Sequence, residues 1–248
     1  MSSSELIDRD VVLTTTCLCK TYETSRGSRI ELLRGLSFKV RLGECVVLVG
    51  RNGSGKSTLL RIIAGLESPT SGFVRLNPSS LDVAYLAQGV GEYAGRDLTV
   101  CEQVNLGRLR QAQVDAPRWS LSGPRAHLRA ANLVRRLGMG IEHMLDEFVR
   151  NLSGGQMQAV MLASIIGATP PALILLDEHS SALDQVARDA IADLLQDCLT
   201  SRATSLVMVT HDQELLRRMP AKVIELCLPL YSFQGTGEQF PKEASLDA

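Results

Sequence analysis

Three short segments of the chain are continuously apolar instead of alternating between apolar and polar residues. They cover residues 46–49, 173–176 and 206–209. Runs of this length are typical of strands that are buried on both faces of a parallel sheet. Polar residues follow each run: a glycine-rich loop, residues 177–178, and residues 210–212. Because ligands of open α/β sheets bind at the carboxyl ends of strands, we expect these three loops to converge on one site.

The segments around this core predict two further layers. Residues 11–16 and 30–40 have strand character and indicate a smaller antiparallel β layer. A helical pattern then predicts an inserted helical subdomain at about residues 89–163. Within it, residues 99–102 have capping-box spacing, and Pro124 stands at a helix start.

The predicted fold class is therefore α/β, with a mostly parallel core sheet, an antiparallel β layer and a helical insertion. The 248 residues, 45% of them apolar, are ample for one large core. We predict a flexible N-terminus at residues 1–10, a single domain over residues 11–232 and a disordered tail at residues 233–248. The tail is rich in Gly, Glu, Lys and Ser, which favours disorder.

Composition argues against several kinds of protein. Basic and acidic residues nearly cancel, 26 against 27, so no global charge attracts nucleic acid. The six cysteines include no Cys-x-x-Cys pair and are interpreted as apolar core residues, with the close pair Cys17 and Cys19 left open. No apolar stretch is long enough to span a membrane, and residues 1–10 lack the features of a signal peptide. We therefore expect a cytoplasmic protein.

The loop after the first apolar run carries the strongest chemical signal. This phosphate loop consists of Gly50, Arg51, Asn52, Gly53, Ser54, Gly55, Lys56, Ser57 and Thr58. Its glycines let backbone N–H groups surround phosphate oxygens at the start of a helix. Lys56 adds a positive charge toward the outer phosphates, and Ser57 can supply a hydroxyl ligand to Mg²⁺. The loop predicts binding of a nucleotide phosphate chain.

Further candidates lie at the ends of the other predicted strands and in one early segment. Asp177 fits a second-sphere role at Mg²⁺, and Glu178 can orient or deprotonate the attacking water, although a helix N-cap with an acidic first turn is the alternative. His211 can donate a hydrogen bond to a γ-phosphate, Gln88 can reach the metal or the water, and Tyr22 can stack on an adenine. A structural histidine and an exposed loop tyrosine remain the alternatives for two of these.

A second glycine-containing motif opens another predicted helix. This signature loop consists of Leu152, Ser153, Gly154, Gly155 and Gln156. A helix N-terminus attracts an anion by about 0.3–1 kcal/mol, or about 2 kcal/mol when partly buried, whereas even a millimolar ligand needs about 4 kcal/mol. The signature loop has no lysine and no metal ligand. It cannot hold ATP alone, so it must close over ATP that is bound elsewhere.

With these motifs in place, the chain over residues 11–230 resembles the nucleotide-binding subunit of an ABC transporter, a P-loop NTPase. The matching parts are Tyr22, the phosphate loop, Gln88, the signature loop, Asp177, Glu178, the Ser-Ala-Leu-Asp loop that ends at Asp184, and His211. The resemblance implies an ABC cassette that hydrolyses ATP with Mg²⁺ and has Asp184 and Gln88 in its nucleotide site. It also implies a head-to-tail dimer in which Ser153 and its glycines cap the γ-phosphate of the partner's ATP.

Residues 178–184, 118–121 and 137–142 look like those of a smaller group of bacterial uptake ATPases, whose binding proteins are associated with amino acids. The resemblance thus implies a subunit that powers a separate integral membrane permease, with a small solute such as an amino acid taken up and a substrate-binding protein as a further partner. It implies a peripheral position on the cytoplasmic face of the membrane.

Several alternatives stay open. A soluble ABC-type ATPase that acts on nucleic acid or ribosomes usually has two cassettes or a long heptad insertion, and neither is visible. An exporter ATPase and a non-hydrolysing scaffold are the others, and Glu178 and His211 argue against the scaffold. Residues 108–136 contain seven arginines and one acidic residue, which indicates either a solvated helical face or a surface beside a permease and anionic headgroups.

Overall fold

The computed structural model describes residues 10–23, 25, 27–78, 81–87, 97–112, 118–166, 171–177, 185–201, 204–226 and 232–236. The strands in this part of the chain are β1 (Val11–Glu23), β2 (Arg29–Arg41), β3 (Cys45–Val49), β4 (Ser71–Leu76), β5 (Val83–Leu86), β6 (Leu173–Asp177), β7 (Ser205–Val209), β8 (Ala221–Leu226) and β9 (Ser232–Thr236). The α-helices are α1 (Lys56–Ile63), α2 (Val100–Ala112), α3 (Pro124–Arg135), α4 (Gly154–Ile166), α5 (Gln185–Thr200) and α6 (Gln213–Arg218).

The core sheet has the strand order β5-β6-β7-β3-β8-β9. The first five of these strands are parallel, and β9 runs antiparallel to β8. Every residue of β3, β6 and β7 is buried. The three continuously apolar segments are therefore the central strands of a parallel sheet, as predicted.

The two faces of the central strands are covered by different layers, which explains why the strands do not alternate. Val47, Leu176 and Met208 belong to a core that also contains buried residues of α2, α3, α4 and α5. Their neighbours Leu48 and Leu175 belong to a second core, formed with α1 and the antiparallel strands β1 and β2. Both faces of the sheet are thus closed to water, and apolar residues are required at successive positions.

The antiparallel layer is larger than the sequence pattern indicates. Its order is β2-β1-β4, and both pairings are antiparallel, which confirms the predicted arrangement of the first two strands. However, β1 continues past residue 16 to Glu23 through register shifts that realign its pairing with β2. Tyr22 pairs with Ile30 in this extension. The alternative in which Tyr22 is an exposed loop residue is therefore wrong, because the tyrosine lies on a paired strand.

The helical insertion begins with the capping box that the sequence predicts. The backbone N–H of Thr99 donates to Oε2 of Glu102 at 2.9 Å, and the N–H of Glu102 donates to Oγ1 of Thr99 at 3.2 Å. Helix α3 begins with Gly123 as its N-cap and Pro124 at its first position, also as predicted. Helices α2, α3 and α4 share one buried apolar cluster with the core sheet.

One boundary of the predicted tail is wrong. Residues 233–236, expected to be disordered, belong to β9, which pairs with β8 through partners such as Val223 with Gly235. A paired strand satisfies the backbone groups at the outer edge of β8, and this requirement overrides a composition that favours disorder. Residues 1–9 and 237–248, predicted to be flexible, lie outside the described residues.

Candidate functional site

The phosphate loop joins β3 to α1 and needs glycine for steric reasons. Gly53 and Gly55 have φ angles of 81° and 94°, which side chains rarely tolerate. A Cβ atom at Gly50 would lie 2.4 Å from the carbonyl oxygen of Leu226 and 2.8 Å from Oγ of Ser54. Gly55 is also the N-cap of α1 and provides no side-chain hydrogen bond to the first turn of the helix. The first N–H groups of α1 therefore have no side-chain cap and can receive an anion.

Lys56 is the first residue of α1, and its side chain contacts the beginning of the phosphate loop. Its ammonium group donates hydrogen bonds to the carbonyl oxygens of Gly50 at 2.7 Å and of Arg51 at 3.0 Å. Only 7% of the residue is exposed. A buried cation over the loop is placed to attract phosphate oxygens strongly, because little water screens its charge.

Ser57 and Asp177 bring a hydroxyl and a carboxylate together beside the loop. Oγ of Ser57 donates to Oδ1 of Asp177 at 3.0 Å, although the two residues lie 120 positions apart. Asp177 is 3% exposed and ends β6. These oxygen donors are of the type that Mg²⁺ prefers. The predicted pair of metal-site residues is thus in direct contact.

Tyr85 is a neighbour of this pair that the sequence pattern did not single out. Its hydroxyl donates to Oδ2 of Asp177 at 3.2 Å, so both carboxylate oxygens of Asp177 accept a hydrogen bond. Burial raises the pKa of Tyr85 to about 12, and the charge of Asp177 adds to this effect. Tyr85 therefore remains a protonated donor that orients the carboxylate. Tyr85 lies on β5, which pairs with β6 in the sheet, and this pairing brings the two residues together.

A cavity of about 350 Å³ opens above these groups. It is lined by Leu32, Asn52, Gly53, Gly55, Lys56, Ser57, Thr58, Asp177 and Val209. Asp177 and Val209 are partners at the ends of β6 and β7. The phosphate loop and the ends of these two strands therefore converge on one site. Of the three loops predicted to meet there, residues 210–212 are not among the lining residues. His211 follows two residues after Val209 and is partly exposed.

The signature loop forms a different kind of helix start. The N–H of Gln156 donates to Oγ of Ser153 at 3.2 Å, and the N–H of Ser153 donates to Oε1 of Gln156 at 3.1 Å. This reciprocal pair is a capping box. The side-chain nitrogen Nε2 of Gln156 lies 3.4 Å from the carbonyl oxygen of Met139, so this side chain is directed toward the preceding part of the helical insertion. Among the described residues, the cavity lining includes none from the signature loop.

Of the remaining predicted site residues, the structure describes Tyr22 but not the other three. The hydroxyl of Tyr22 donates a hydrogen bond to Glu67, a residue that the sequence pattern did not single out. Gln88, Glu178 and Asp184 lie outside the described residues.

Comparison with known families decides the class of the protein. The family model described as ABC transporter matches residues 33–181. The chain belongs to the ABC transporter family. It is an ATP-binding and ATP-hydrolysing subunit of such a transporter, with the ABC cassette fold.

Individual relatives agree on the cassette and differ in the transported substance. The methionine import ATP-binding protein MetN of Bradyrhizobium diazoefficiens is 33% identical over 215 residues, 84% of this chain and 61% of that protein. The lipoprotein-releasing system ATP-binding protein LolD of Pseudomonas fluorescens is 34% identical over 219 residues, 82% of this chain and 89% of that protein. This ABC ATPase therefore spans less than two thirds of the MetN relative and most of the LolD relative.

Solved structures support the same fold. The ATP-binding cassette MJ0796, a dimer in a post-hydrolysis state bound to ADP and Pi, has a TM-score of 0.73 at 27% identity, with 90% of this chain and 98% of that chain covered. An inward-facing metal-chelate type ABC transporter has a TM-score of 0.72 at 24% identity, with 92% and 84% covered, and shows the fold alone. None of the described helices of this ABC ATPase is long and apolar enough to cross a membrane.

Proposed function

We propose that this ABC ATPase binds ATP with Mg²⁺, dimerises around two nucleotides and uses their hydrolysis to power a separate membrane permease. The observation that carries the proposal is the contrast between the two helix starts. The phosphate loop combines a buried cation, a hydroxyl and a carboxylate, whereas the signature loop has only backbone N–H groups and one serine. The second loop therefore acts on ATP that the first loop of another subunit holds.

The residues around Asp177 fit a magnesium ion. Oγ of Ser57 is the proposed direct ligand, and Asp177 is its hydrogen-bonded second-sphere partner. When bound, the ion supplies charge neutralisation between the outer phosphates. Tyr85 keeps the carboxylate of Asp177 turned toward Ser57 by occupying its other oxygen. Gln88 is the further proposed contact to the metal or the attacking water.

The groups of the proposed mechanism come from the phosphate loop, the strand ends, β1 and the signature loop. Lys56 and the loop N–H groups hold the phosphate chain, and Tyr22 and Asp184 contact the nucleotide. Glu178 orients or deprotonates the attacking water, and His211 donates to the γ-phosphate. Ser153 caps the γ-phosphate of the partner's ATP. Lys56, His211 and Ser153 are the side chains that would stabilise negative charge on the phosphates during phosphoryl transfer.

The proposed partners are a second ATP-binding subunit, an integral membrane permease and a substrate-binding protein. The permease holds the ATPase at the cytoplasmic face of the membrane. Arg125, Arg129 and Arg135 are exposed on α3, and we propose that this basic face lies toward the permease and anionic headgroups. Reversing the charge of all three arginines should lower membrane recruitment, whereas unchanged recruitment would leave the arginines as a solvated face.

We propose import of an amino acid as the transport function. The MetN relative is named for methionine import, and residues 178–184 resemble those of amino-acid uptake ATPases. The similarity to LolD, which is named for lipoprotein release, makes release of a lipoprotein the second candidate.

Uptake measurements separate the two candidates. Cells that lack the chain are supplied with the parental protein or with Lys56→Ala, and uptake of labelled amino acids is measured. The import proposal predicts that only the parental chain restores uptake of at least one amino acid. If uptake of every amino acid is independent of the chain while lipoproteins accumulate in the inner membrane without it, the release function replaces import.

A further inference from the structure

Tyr22 is held at its hydroxyl by a carboxylate and on one face of its ring by a cation. Its hydroxyl donates to Oε1 of Glu67. The ammonium group of Lys20 lies 4.9 Å from the centroid of the tyrosine ring and 2.9 Å from the same carboxylate oxygen. Lys20 also donates to the carbonyl oxygen of Ser68 at 2.8 Å, so its own position is fixed. A cation that lies over the ring interacts favourably with its π-electrons and occupies that side.

The same carboxylate reaches the phosphate-binding helix. Nε of Arg61 on α1 donates to Oε2 of Glu67 at 3.1 Å. Nη2 of Arg61 donates to Oγ1 of Thr58 at 3.2 Å, and Thr58 lines the cavity. Glu67 thus uses one oxygen for β1 and the other for α1. The tyrosine and the phosphate loop are joined through two side chains, those of Glu67 and Arg61.

The carboxylate of Glu67 is ionised at neutral pH. Burial by itself would raise its pKa, but the hydrogen bonds from Tyr22, Lys20 and Arg61 outweigh burial and lower the pKa of Glu67 to about 2. The side chains of Lys20 and Glu67 are only 14% and 19% exposed. Their attraction is therefore less screened than that of a surface ion pair.

We propose that Glu67 is a positioning residue for the nucleotide base. It holds the ring of Tyr22 by the phenol, with Lys20 over one face of the ring, and leaves the opposite face for stacking on a base. Glu67 also keeps the ring of Tyr22 at a set distance from the phosphate loop through Arg61 and Thr58. A ring that is fixed before the nucleotide arrives loses less conformational freedom on binding. This inference rests on the proposed contact between Tyr22 and adenine.

The two substitutions that isolate this role are Tyr22→Phe and Glu67→Gln in the full chain. Tyr22→Phe keeps the ring and the ion pairs of Glu67, and Glu67→Gln keeps the shape of the side chain. We expect each to raise the KM for ATP by about three- to tenfold, the effect of one hydrogen bond, with a smaller factor lost in kcat. The KM for ATP of the double variant should not exceed the higher of the two single-variant values, because both substitutions remove the same hydrogen bond. Glu23→Gln, which removes an exposed ion pair with Arg29 on the same layer, is the matched control and should keep the parental KM.

A ligand without a base distinguishes positioning from a general effect on the fold. Inorganic tripolyphosphate contacts only the phosphate loop, so its Kd should be the same for parental protein, Tyr22→Phe and Glu67→Gln. If Glu67→Gln weakens tripolyphosphate and ATP equally, Glu67 supports the loop in general and the inference is overturned.

Tyr22→Ala separates this inference from the proposed function beneath it. If Tyr22→Ala leaves the KM for ATP unchanged, the base contact itself fails and the role of Glu67 fails with it. If Tyr22→Ala raises the KM but Tyr22→Phe and Glu67→Gln match the parental protein, the base contact stands and only the role of Glu67 is refuted.

Discussion

The phosphate loop and the signature loop each lead directly into the N-terminus of a helix, α1 and α4, but their first turns are satisfied differently. Helix α1 begins after Gly55, which offers no side-chain cap, and Lys56 covers the loop with a buried ammonium group. Helix α4 begins with a capping box in which Ser153 and Gln156 satisfy each other's backbone N–H groups. The first loop leaves donors for a ligand, whereas the second already uses part of its capacity internally.

We propose that this difference lets the phosphate loop bind a nucleotide alone and leaves the signature loop dependent on a second surface. Uncapped N–H groups, a cation and the neighbouring Ser57–Asp177 pair act together at the phosphate loop. At the signature loop, the helix terminus contributes about 0.3–1 kcal/mol to anion binding, far below the ~4 kcal/mol that a millimolar ligand requires. A loop of this kind becomes useful when another surface already holds the anion. We therefore interpret the two loops as halves of different composite sites.

The largest effect on ATP turnover is expected for Glu178, the proposed base at the site where the two loops meet. Glu178→Gln removes the proposed base but keeps its size, so ATP turnover should fall by about 10²- to 10⁴-fold while ATP stays bound. The variant should accumulate as an ATP-bound dimer, measured by phosphate release and by size-exclusion chromatography with ATP. Glu214→Gln, an exposed acid on α6, is the control. Turnover at the parental rate would refute the assigned mechanism.

Lys56→Ala tests the first loop directly. Loss of a buried cation from a phosphate site should weaken ATP binding by about 2–5 kcal/mol, which corresponds to roughly 30- to several-thousand-fold in Kd. Isothermal titration of the dilute chain measures this change. Lys39→Ala, at an exposed lysine on β2, should bind ATP as the parental chain does. Equal Kd values for the two variants would show that Lys56 does not contribute to ATP binding.

Substitutions of Ser153 separate capping from ligand contact. Asn caps helices about as well as Ser, whereas Ala loses about 1 kcal/mol of stability. We therefore expect Ser153→Asn to keep the parental Tm and Ser153→Ala to lower it, with ATPase activity at high protein concentration reduced about three- to tenfold in both. ATP affinity of the dilute chain should change much less. Parental activity in Ser153→Asn would mean that the serine acts only as a cap.

The smallest effect concerns a contact between a histidine and a carboxylate within the helical insertion. Nε2 of His127 on α3 lies 2.8 Å from Oδ1 of Asp146, and this hydrogen bond raises the pKa of His127 above its usual value, although partial burial opposes the shift. The contact therefore stabilises the fold below the unfolded pKa of about 6.5 and is lost as pH rises through the higher folded value. Asp146 is 88% exposed, so the gain should stay below about 1 kcal/mol.

Thermal unfolding of parental protein and His127→Gln at pH 6 and pH 8 measures this contribution. The stability difference should be larger at pH 6. A difference that grows toward pH 8 would have the wrong sign for a protonated histidine beside Asp146.

Most features that could be predicted from the sequence are local, whereas those that could not be predicted depend on distant contacts. The contact between Ser57 and Asp177, 120 positions apart, is an exception, because both residues lie at the ends of predicted strands. Continuous apolar runs predicted the buried strands, and short spacings predicted both the capping box at Thr99 and the phosphate loop. Tyr85 reaches Asp177 across 92 positions, and Tyr22 reaches Glu67 across 45, so no local pattern reveals either pair. Strand β9 was missed for a similar reason, since pairing with β8 decides its structure.

The most direct test of the composite sites asks which chain contacts the γ-phosphate. A Lys56→Ala chain labelled with heavy isotopes is mixed with the light parental chain and with ATP that carries a photoreactive group on its γ-phosphate. The account predicts that, after illumination, mass spectrometry finds the label on the heavy peptide that contains Ser153, and only when the light chain is present. Label confined to the signature loop of the light chain, at any mixing ratio, would contradict a site shared between two subunits.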